Sequence, residues 1–267
     1  MSFLYETHMH TCQASRCGVS SGAEHVRRYR DLGFDGIIIT DHFWGGNCAI
    51  PRELPWAEWV NRFCAGYEDA WNEGQKIGFP VFFGWEQNYD EDEYLIYGPQ
   101  KDWLLAHPEI VSCSRRRQLE LVHEAGGCVI QAHPFRARDY IRQILLGYRF
   151  ADGVEAANCG NRRASDVYAW RFARERGLYV TAGSDNHNSA RYTERDQLFG
   201  VRLETPLRDM ADFARRVRSR ERLELHVPAA RFAPLTPEEW EELPAWELDE
   251  DERPVPSAFT PAPEDRA

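Results

Sequence analysis

The chain has 267 residues, of which 43% are hydrophobic and 28% are charged, as in a globular protein with a sizeable core. No uninterrupted apolar stretch reaches the roughly 20 residues that a transmembrane helix requires, so a membrane-spanning protein is excluded. The net charge of −11 comes mostly from residues 236–267, which contain 11 acids and two arginines, so the nearly neutral remainder does not repel an anionic substrate.

Short apolar runs alternate with helical patterns over residues 1–233. The predicted strands cover residues 3–10, 36–42, 81–87, 94–97, 128–133, 153–157, 178–182, 200–204 and 223–227. The predicted helices cover residues 23–32, 56–77, 114–125, 140–148, 165–176 and 207–220. Strands that alternate with helices predict parallel βαβ units, and about seven such units fit a closed α/β barrel better than an open sheet.

Residues 234–267 differ in composition, because proline and acidic residues dominate there. We predict that this acidic, proline-rich tail is partly disordered. Within it, residues 237–248 carry Trp240, Leu243, Trp246 and Leu248 on a predicted short helix. That segment packs either on the barrel or on a second subunit, or it forms part of a free tail, so a homo-oligomer is one of the expected arrangements.

The cysteines and the N-terminus bear on the compartment. The seven cysteines are scattered without a CxxC pair, and residues 1–15 have neither the basic nor the apolar region of a secretion signal. We therefore expect reduced thiols and a cytoplasmic protein.

Histidines and acids recur at the carboxyl ends of the predicted strands. They are His8, His10, Asp41, His42, Glu86, His133, Glu155, Asp185 and His187. In a barrel of parallel strands these ends meet on one face, where active sites form. Residues separated by one position in a strand point the same way, so His8 and His10 can share a metal ion, as can Asp185 and His187. Imidazole and carboxylate ligands suit zinc, manganese or iron. The other histidines are interpreted as core or helix-cap residues.

Six segments together resemble the PHP (polymerase and histidinol phosphatase) family of metal-dependent phosphoesterases. They are ETHMHT (6–11), GIIITDH (36–42), FFGWEQ (82–87), VIQAHPF (129–135), GVEAAN (153–158) and VTAGSDNH (180–187). The resemblance implies a distorted (β/α)7 TIM-like barrel over residues 1–233. It also implies two or three divalent transition-metal ions (Mn, Zn or Fe) at the carboxyl face of the barrel, and hydrolysis of phosphate esters.

The resemblance also implies the metal ligands. The first metal is expected at His8, His10, Glu86 and Asp185, and Glu86 is expected to bridge to a second metal at His133. His42 and His187 are expected at a third metal.

The sequence departs from the family pattern at two of these sites. Arg16 stands where many members have the remaining ligand of the third site, and it is a candidate to bind substrate phosphate instead. Many members also have a histidine soon after the bridging glutamate. Residues 92–98 contain none, and Glu93 is the nearest substitute for that ligand.

The expected mechanism is attack on phosphorus by a hydroxide that two metal ions hold and activate. Side chains that neutralise the phosphoryl oxygens supply further rate enhancement. The candidates for binding substrate are Arg16, Arg136, Asn158 and Arg162. Asp41 or His187 is expected to protonate the leaving oxygen. Asp41 is alternatively a carboxylate that orients a metal ligand.

Three functions remain open at this point. The leading hypothesis is a hydrolase of a small phosphorylated metabolite, either a phosphomonoester or a cyclic phosphodiester of a sugar or nucleotide. The alternative is an exonuclease or a nucleoside-bisphosphate phosphatase, with nucleic-acid partners limited to mononucleotides and short oligonucleotides. The third is a metal-binding barrel that has lost catalysis and acts through its tail.

Overall fold

A computed structural model describes residues 2–89 and 91–259. Its helices are α1 (Gly22–Asp31), α2 (Trp56–Phe63), α3 (Ala65–Ile77), α4 (Lys101–Ala106), α5 (Arg115–Glu124), α6 (Arg163–Arg176) and α7 (Met210–Arg218). Its strands are β1 (Phe3–Glu6), β2 (Gly36–Ile39), β3 (Val81–Asn88), β4 (Glu93–Tyr97), β5 (Cys128–Gln131), β6 (Ile144–Leu146), β7 (Gly153–Asn158), β8 (Tyr179–Gly183), β9 (Gly200–Leu203), β10 (Glu224–His226), β11 (Ala245–Leu248) and β12 (Pro254–Pro256). Among the described helices, none combines the length and the apolar character needed to cross a membrane.

Nine strands form one sheet in the order β10-β9-β1-β2-β3-β4-β5-β7-β8. β1, β2 and β3 pair in parallel, as do β5, β7 and β8. β4 is antiparallel to β3 and β5, and β9 is antiparallel to β1 and β10. A parallel bridge between Met9 and Asn186 joins the segments that follow β1 and β8, so the sheet is nearly closed. The predicted barrel is confirmed, and the reversed strands β4 and β9 account for its distortion.

The β-branched strand β2 shows why the sheet is buried on both sides. Ile37 and Ile39 pack in one apolar cluster with Val26 of α1. Ile38 lies between them in the chain and packs in the opposite cluster with Leu95 of β4. Because successive side chains of a strand point to opposite faces, a strand that is apolar throughout requires cover on both sides. The carboxyl ends of such strands are then the accessible positions for polar side chains.

Three predicted helices differ from the structure. The predicted helix 56–77 is two helices, α2 and α3, that meet at Cys64. The predicted helix 140–148 is wrong, because this segment contains strand β6, and short apolar runs do not distinguish strand from helix by periodicity alone. The predicted helix 237–248 is also wrong, since β11 follows directly after Pro244, whose ring removes a backbone donor and breaks a helix.

The segment that follows residue 233 packs on the barrel as far as it is described. β11 pairs in parallel with β6 and antiparallel with β12. Leu235, Leu243 and Phe259 are buried in one cluster with Phe135 and Phe172 of the barrel. Residues 260–267, which belong to the segment predicted to be partly disordered, lie outside the described residues. The domain boundary at residue 233 stays a prediction.

Candidate metal centre

The eight residues predicted as metal ligands lie together at the carboxyl face of the barrel. They form four overlapping groups: His8, His10 and Asp185; His8, Glu86 and His133; His42, Glu86 and Glu93; and His10, His42 and His187. Within each group the ligand atoms lie within 4.8 Å of one another. The fold brings them together because β1, β2, β3, β5 and β8 run in the same direction and end on the same face.

The expected first metal site, here called the first group, brings together the side chains of four residues, His8, His10, Glu86 and Asp185. His8 Nε2 lies 3.2 Å from His10 Nε2 and 3.2 Å from Glu86 Oε1. His10 Nε2 lies 3.0 Å from Asp185 Oδ1 and 3.6 Å from Glu86 Oε2. Only one of two facing imidazole nitrogens can donate a proton to the other, so this convergence of lone pairs fits a cation.

The second group consists of Glu86, His133 and Glu93, and it shares Glu86 with the first. His133 Nε2 lies 3.1 Å from Glu86 Oε1 and 3.5 Å from Glu93 Oε2. Burial and the negative charge of Glu86 raise the pKa of Glu93. A divalent cation between the two carboxylates would relieve that repulsion.

The expected third metal site, here called the third group, contains the imidazoles of His10, His42 and His187. The ring of His10 stacks on His42 and on His187 at centroid distances of 4.1 and 4.4 Å. Cys17, which sequence reasoning did not single out, forms side-chain hydrogen bonds with His187 and His42. Burial raises the pKa of its thiol, but these hydrogen bonds outweigh burial and lower it to about 6. Arg16, the residue of this loop that the sequence did single out, is exposed, and its Nε donates to the carbonyl of Cys48 at 2.8 Å.

Two unsatisfied buried atoms indicate that a cation fits here. Glu86 Oε2 and His42 Nδ1 lie 2.6 Å apart, and neither has a hydrogen-bond partner among the described residues. Buried polar atoms are nearly always satisfied, so such a pair calls for an ion. Imidazole nitrogens and carboxylate oxygens in this mixture bind divalent transition metals. The residues present therefore fit divalent metal ions.

The charged side chains of the cluster shift the pKa values of their neighbours. Burial by itself lowers the pKa of His8, but Glu155, Asp185 and Glu86 outweigh it and raise that pKa. Burial raises the pKa of Glu86, and His8 and His42 outweigh it and lower that pKa. The pKa of Asp185 is lowered against burial by Arg136 and His8. The carboxylates of Glu86 and Asp185 are therefore held ionised, as metal binding requires.

Behind the cluster, Glu155 orients two of the candidate ligands. Its Oε1 lies 3.0 Å from His8 Nδ1, and its Oε2 accepts the backbone N–H of His133 at 3.1 Å. A carboxylate bound to the second nitrogen of a ligating histidine fixes the orientation of the ring. Glu155 was noted at a strand end from the sequence, but it was not assigned a role.

Glu6 is a supporting residue that sequence reasoning missed. Its Oε1 accepts the backbone N–H groups of Thr7, His8 and Ser184 at 2.9 to 3.0 Å. Its Oε2 accepts the hydroxyl of Tyr29 at 2.8 Å. Burial raises the pKa of Glu6 to about 7. Glu6 thereby joins the ends of β1 and β8, which carry His8 and Asp185.

Asp41 lies beneath the cluster, where its oxygens are occupied by other donors. It accepts the backbone N–H of Thr11 at 2.6 Å, the Thr11 hydroxyl at 2.8 Å and the Ser15 hydroxyl at 2.7 Å. Ser15 Oγ lies 3.4 Å from His10 Nδ1. Burial raises the pKa of Asp41 to about 6. Of the two roles considered for Asp41, these contacts favour orientation of His10.

Strained backbone marks two of the candidate ligands. His133 and Asp185 have φ angles of 28° and 52°, in the region that non-glycine residues seldom adopt. Such conformations persist only where surrounding contacts hold them, and they concentrate at functional sites. Here they turn the side chains at the ends of β5 and β8 into the cluster.

The predicted substrate-binding residues occupy three different environments. Arg136 is largely buried; its Nη2 lies 2.7 Å from Asp185 Oδ2 and 2.9 Å from Asn158 Oδ1. Arg16 is exposed. Arg162 is 64% exposed and pairs with Glu241 at 2.9 Å, and no contact joins it to the cluster within the described ranges. The structure thus brings Arg136 and Asn158 to the cluster, but not Arg162.

Comparison of the sequence with known proteins gives one local match. No protein-family model matches this sequence. A 5'-3' exoribonuclease from Haemophilus influenzae is 34% identical over 74 residues, which are 26% of this chain and 27% of that protein. The match thus spans about a quarter of the length of the relative.

Three solved structures share the fold at low sequence identity. A protein from Bifidobacterium adolescentis assigned as a metal-dependent phosphoesterase is 19% identical, with a TM-score of 0.50 over 81% of this chain and 96% of that one. A two-domain protein from Bacteroides vulgatus, containing a predicted PHP-like metal-dependent phosphoesterase, is 14% identical, with a TM-score of 0.57 over 85% of this chain and 65% of that one. A lesion-specific endonuclease from Pyrococcus furiosus is 12% identical, with a TM-score of 0.53 over 84% of this chain and 58% of that one. The resemblance to the PHP family is confirmed at the level of the fold.

Proposed function

We propose that this protein is a metal-dependent phosphoesterase of the PHP type. The observation that carries the proposal is the cluster of eight nitrogen and oxygen ligands at the carboxyl face of a PHP-like barrel. Active sites of such barrels lie at this face. The orphaned atoms of Glu86 and His42 support metal binding independently of the comparisons.

The proposed centre holds two or three divalent ions of Mn, Zn or Fe. His8, His10, Glu86 and Asp185 hold the first, and Glu86 extends to the second. His133 and Glu93 complete that second site, with the Glu93 carboxylate in place of a histidine. His42 and His187 are ligands of the third. Divalent ions at such a centre lower the pKa of water and neutralise charge on a phosphoryl group.

The side chains around the cluster have separate proposed roles. Arg136 holds Asp185 in position through the ion pair at 2.7 Å, and Asn158 orients Arg136 by accepting a hydrogen bond from its Nη2 at 2.9 Å. Arg16 is exposed near the third group and binds substrate phosphate. When only two ions are bound, His187, whose side chain is 27% exposed, is better placed than buried Asp41 to protonate the leaving oxygen, because a metal-bound imidazole has no proton to donate.

The proposed substrate is a small phosphorylated metabolite, a sugar phosphate or a nucleotide, as a phosphomonoester or cyclic phosphodiester. Several arginines of the surface are neutralised by acids of residues 234–259. Arg162 pairs with Glu241, Arg163 with Glu239, and Arg116 with Glu250. A long nucleic acid requires a continuous basic surface, which these pairs interrupt.

The second candidate is an exonuclease or a nucleoside-bisphosphate phosphatase. The local match to a 5'-3' exoribonuclease favours it. Both candidates use the same proposed centre, and they differ in the substrate that the mouth of the barrel admits.

A substrate panel tests the proposal and separates the two candidates. Metal-loaded protein is assayed for phosphate or nucleotide release from sugar phosphates, mononucleotides, cyclic phosphodiesters, nucleoside bisphosphates and short oligonucleotides. We expect turnover with the first three classes and its loss in Asp185→Asn. Turnover confined to bisphosphates or oligonucleotide ends would replace the leading candidate by the second. No turnover with any class would overturn the proposed enzyme.

A further inference from the structure

We propose that Cys17 is a sulfur ligand of the metal ion held by His42 and His187. The inference rests on the proposed metal-dependent function, and it adds a ligand at the site where the sequence offered only Arg16. The relevant loop runs from Thr11 to Ser20 and passes over the third group of imidazoles.

The backbone fixes the Cys17 loop directly on His187. The carbonyl of His187 accepts the N–H of Val19 at 2.7 Å and the N–H of Ser20 at 3.2 Å. At the other side of Cys17, the N–H of Arg16 donates to the carbonyl of Asn47 at 2.9 Å. The loop is therefore anchored before and after the thiol, so Cys17 keeps its place beside His187.

The side chains of Arg16 and Cys17 have different surroundings. Arg16 is exposed and donates to the carbonyl of Cys48, whereas the thiol of Cys17 bonds with the imidazoles of both His42 and His187. Cys17, rather than Arg16, therefore supplies the metal-ligating atom to the third group.

Two neighbouring atoms form no well-aligned hydrogen bond within the described part of the chain. Glu86 Oε2, on a side chain that is 1% exposed, and His42 Nδ1 lie 2.6 Å apart. The ring of His10 is fully buried between His42 and His187. An ion bound by the thiol and these imidazoles would place positive charge beside the Glu86 carboxylate oxygen.

A sulfur ligand gives this site a different metal preference from the second group. Thiolate and imidazole ligands select zinc, and carboxylate oxygens suit manganese and iron. The third site would then prefer zinc, whereas the second, with Glu86 and Glu93, would accept manganese or iron. Co²⁺ reports on this difference, because it replaces zinc and absorbs through charge transfer from a bound thiolate.

The experiment loads the metal-free full chain with Co²⁺ under reducing conditions and records near-ultraviolet absorption and bound cobalt per chain. We expect a thiolate charge-transfer band in the wild type. Cys17→Ser should lose the band and about one equivalent of cobalt. Cys17→Asp should restore the equivalent without the band, because a carboxylate replaces the thiolate. Cys12→Ser, at an exposed cysteine of the same loop, is the matched control and should retain both.

The outcomes separate this inference from the proposed function. A Cys17→Ser protein that keeps both the band and the wild-type cobalt content would overturn the assignment of Cys17 alone. A wild type that binds cobalt without any thiolate band would do the same. A folded wild type that binds no cobalt, zinc or manganese would overturn this inference together with the proposed function.

Discussion

At the residue scale, the centre depends on carboxylates with two separate contacts each. Glu86 faces His8 and His133 through one oxygen and His10 and His42 through the other. Glu155 lies behind the cluster and bonds with His8 and His133. Glu86 can therefore hold metal, whereas Glu155 can only position the residues that do.

Glu155→Gln tests that positioning role. The amide cannot accept on both of its ends, so a donor must face either His8 or the backbone N–H of His133. We expect metal affinity to fall about 10- to 100-fold, as for other partners of ligating histidines, while the fold is retained. Titration with zinc against a competing chelator measures the change. Unchanged affinity would show that Glu155 does not orient His8.

The buried Glu6 predicts a pH dependence of stability. Its pKa is about 7 in the folded chain, raised by burial from 4.5, so the native state binds its proton more tightly than the unfolded state. The charged form therefore costs stability above pH 7, and this cost disappears as pH falls toward 4.5. Glu6→Gln can keep the three backbone hydrogen bonds without the charge.

We expect the unfolding free energy of Glu6→Gln relative to the wild type to rise between pH 4.5 and 8, by up to about 3 kcal/mol. Urea denaturation of the metal-free proteins across this range measures the difference. If the difference in unfolding free energy between Glu6→Gln and the wild type were the same at pH 4.5 and at pH 8, the buried ionisation of Glu6 would be contradicted.

Sequence reasoning reached the candidate ligands and one supporting residue, Asp41, but not Glu6 or Cys17, and the difference is physical. A histidine at a strand end is unusual on its own, and the parallel arrangement requires these ends to meet. Glu6 instead lies inside the predicted strand 3–10, and its bond to Ser184 crosses 178 positions of sequence. Cys17 lies in an irregular loop whose course depends on bonds to Asn47 and His187, so no periodic pattern could place it.

At the element scale, helix α3 packs so closely that its glycines have no room for a side chain. A Cβ at Gly66 would lie 2.0 Å from Thr11 Oγ1 and 2.9 Å from Asp41 Oδ2. A Cβ at Gly74 would lie 2.5 Å from the carbonyl of Phe79. Gly66 therefore packs against Thr11 and Asp41, next to the loop that orients His10, whereas Gly74 packs within the barrel wall.

Gly66→Ala and Gly74→Ala form a matched pair in this helix. We expect each to lower stability by about 1–3 kcal/mol, because overpacking outweighs the better helix propensity of alanine. Only Gly66→Ala should also weaken metal binding, through Thr11 and Asp41. Thermal unfolding and zinc titration measure the two effects. Equal metal affinity in both variants would contradict the link between α3 and the centre.

The elements also show where local patterns fail. β2 was predicted because four consecutive apolar residues, three of them β-branched, suit a strand buried on both faces. The segments of β6 and β11 were predicted to be helical, because each strand is short and carries no strand pattern of its own. The two strands stabilise each other by pairing across about 100 positions of sequence. Pairing at that separation is invisible to local periodicity.

At the scale of the whole molecule, residues 234–259 extend the core rather than standing apart from it. Leu243 is 6% exposed and packs in the cluster that contains Phe135, two positions after His133. Val255 lies in β12, which pairs with β11, but its side chain is 41% exposed. Both residues belong to the segment 234–259, but only Leu243 is buried.

Leu243→Ala should lower the unfolding free energy by about 2–4 kcal/mol, because it leaves a cavity in a shared core. Val255→Ala, the exposed control, should change it by less than about 1 kcal/mol. Chemical denaturation of both variants gives the comparison. A Leu243→Ala protein as stable as the wild type would show that this segment does not pack on the barrel.

The most direct test of the central claim is the metal dependence of phosphoester hydrolysis at Glu86. Release from a chromogenic phosphomonoester and a phosphodiester is measured before chelation, after chelation, and after addition of manganese or zinc. We predict that chelation abolishes wild-type turnover and that metal restores it. Glu86→Gln should stay at least about 100-fold less active after the same treatment, while the exposed control Glu120→Gln recovers fully. Turnover that survives complete metal removal, or that Glu86→Gln retains, would contradict the account.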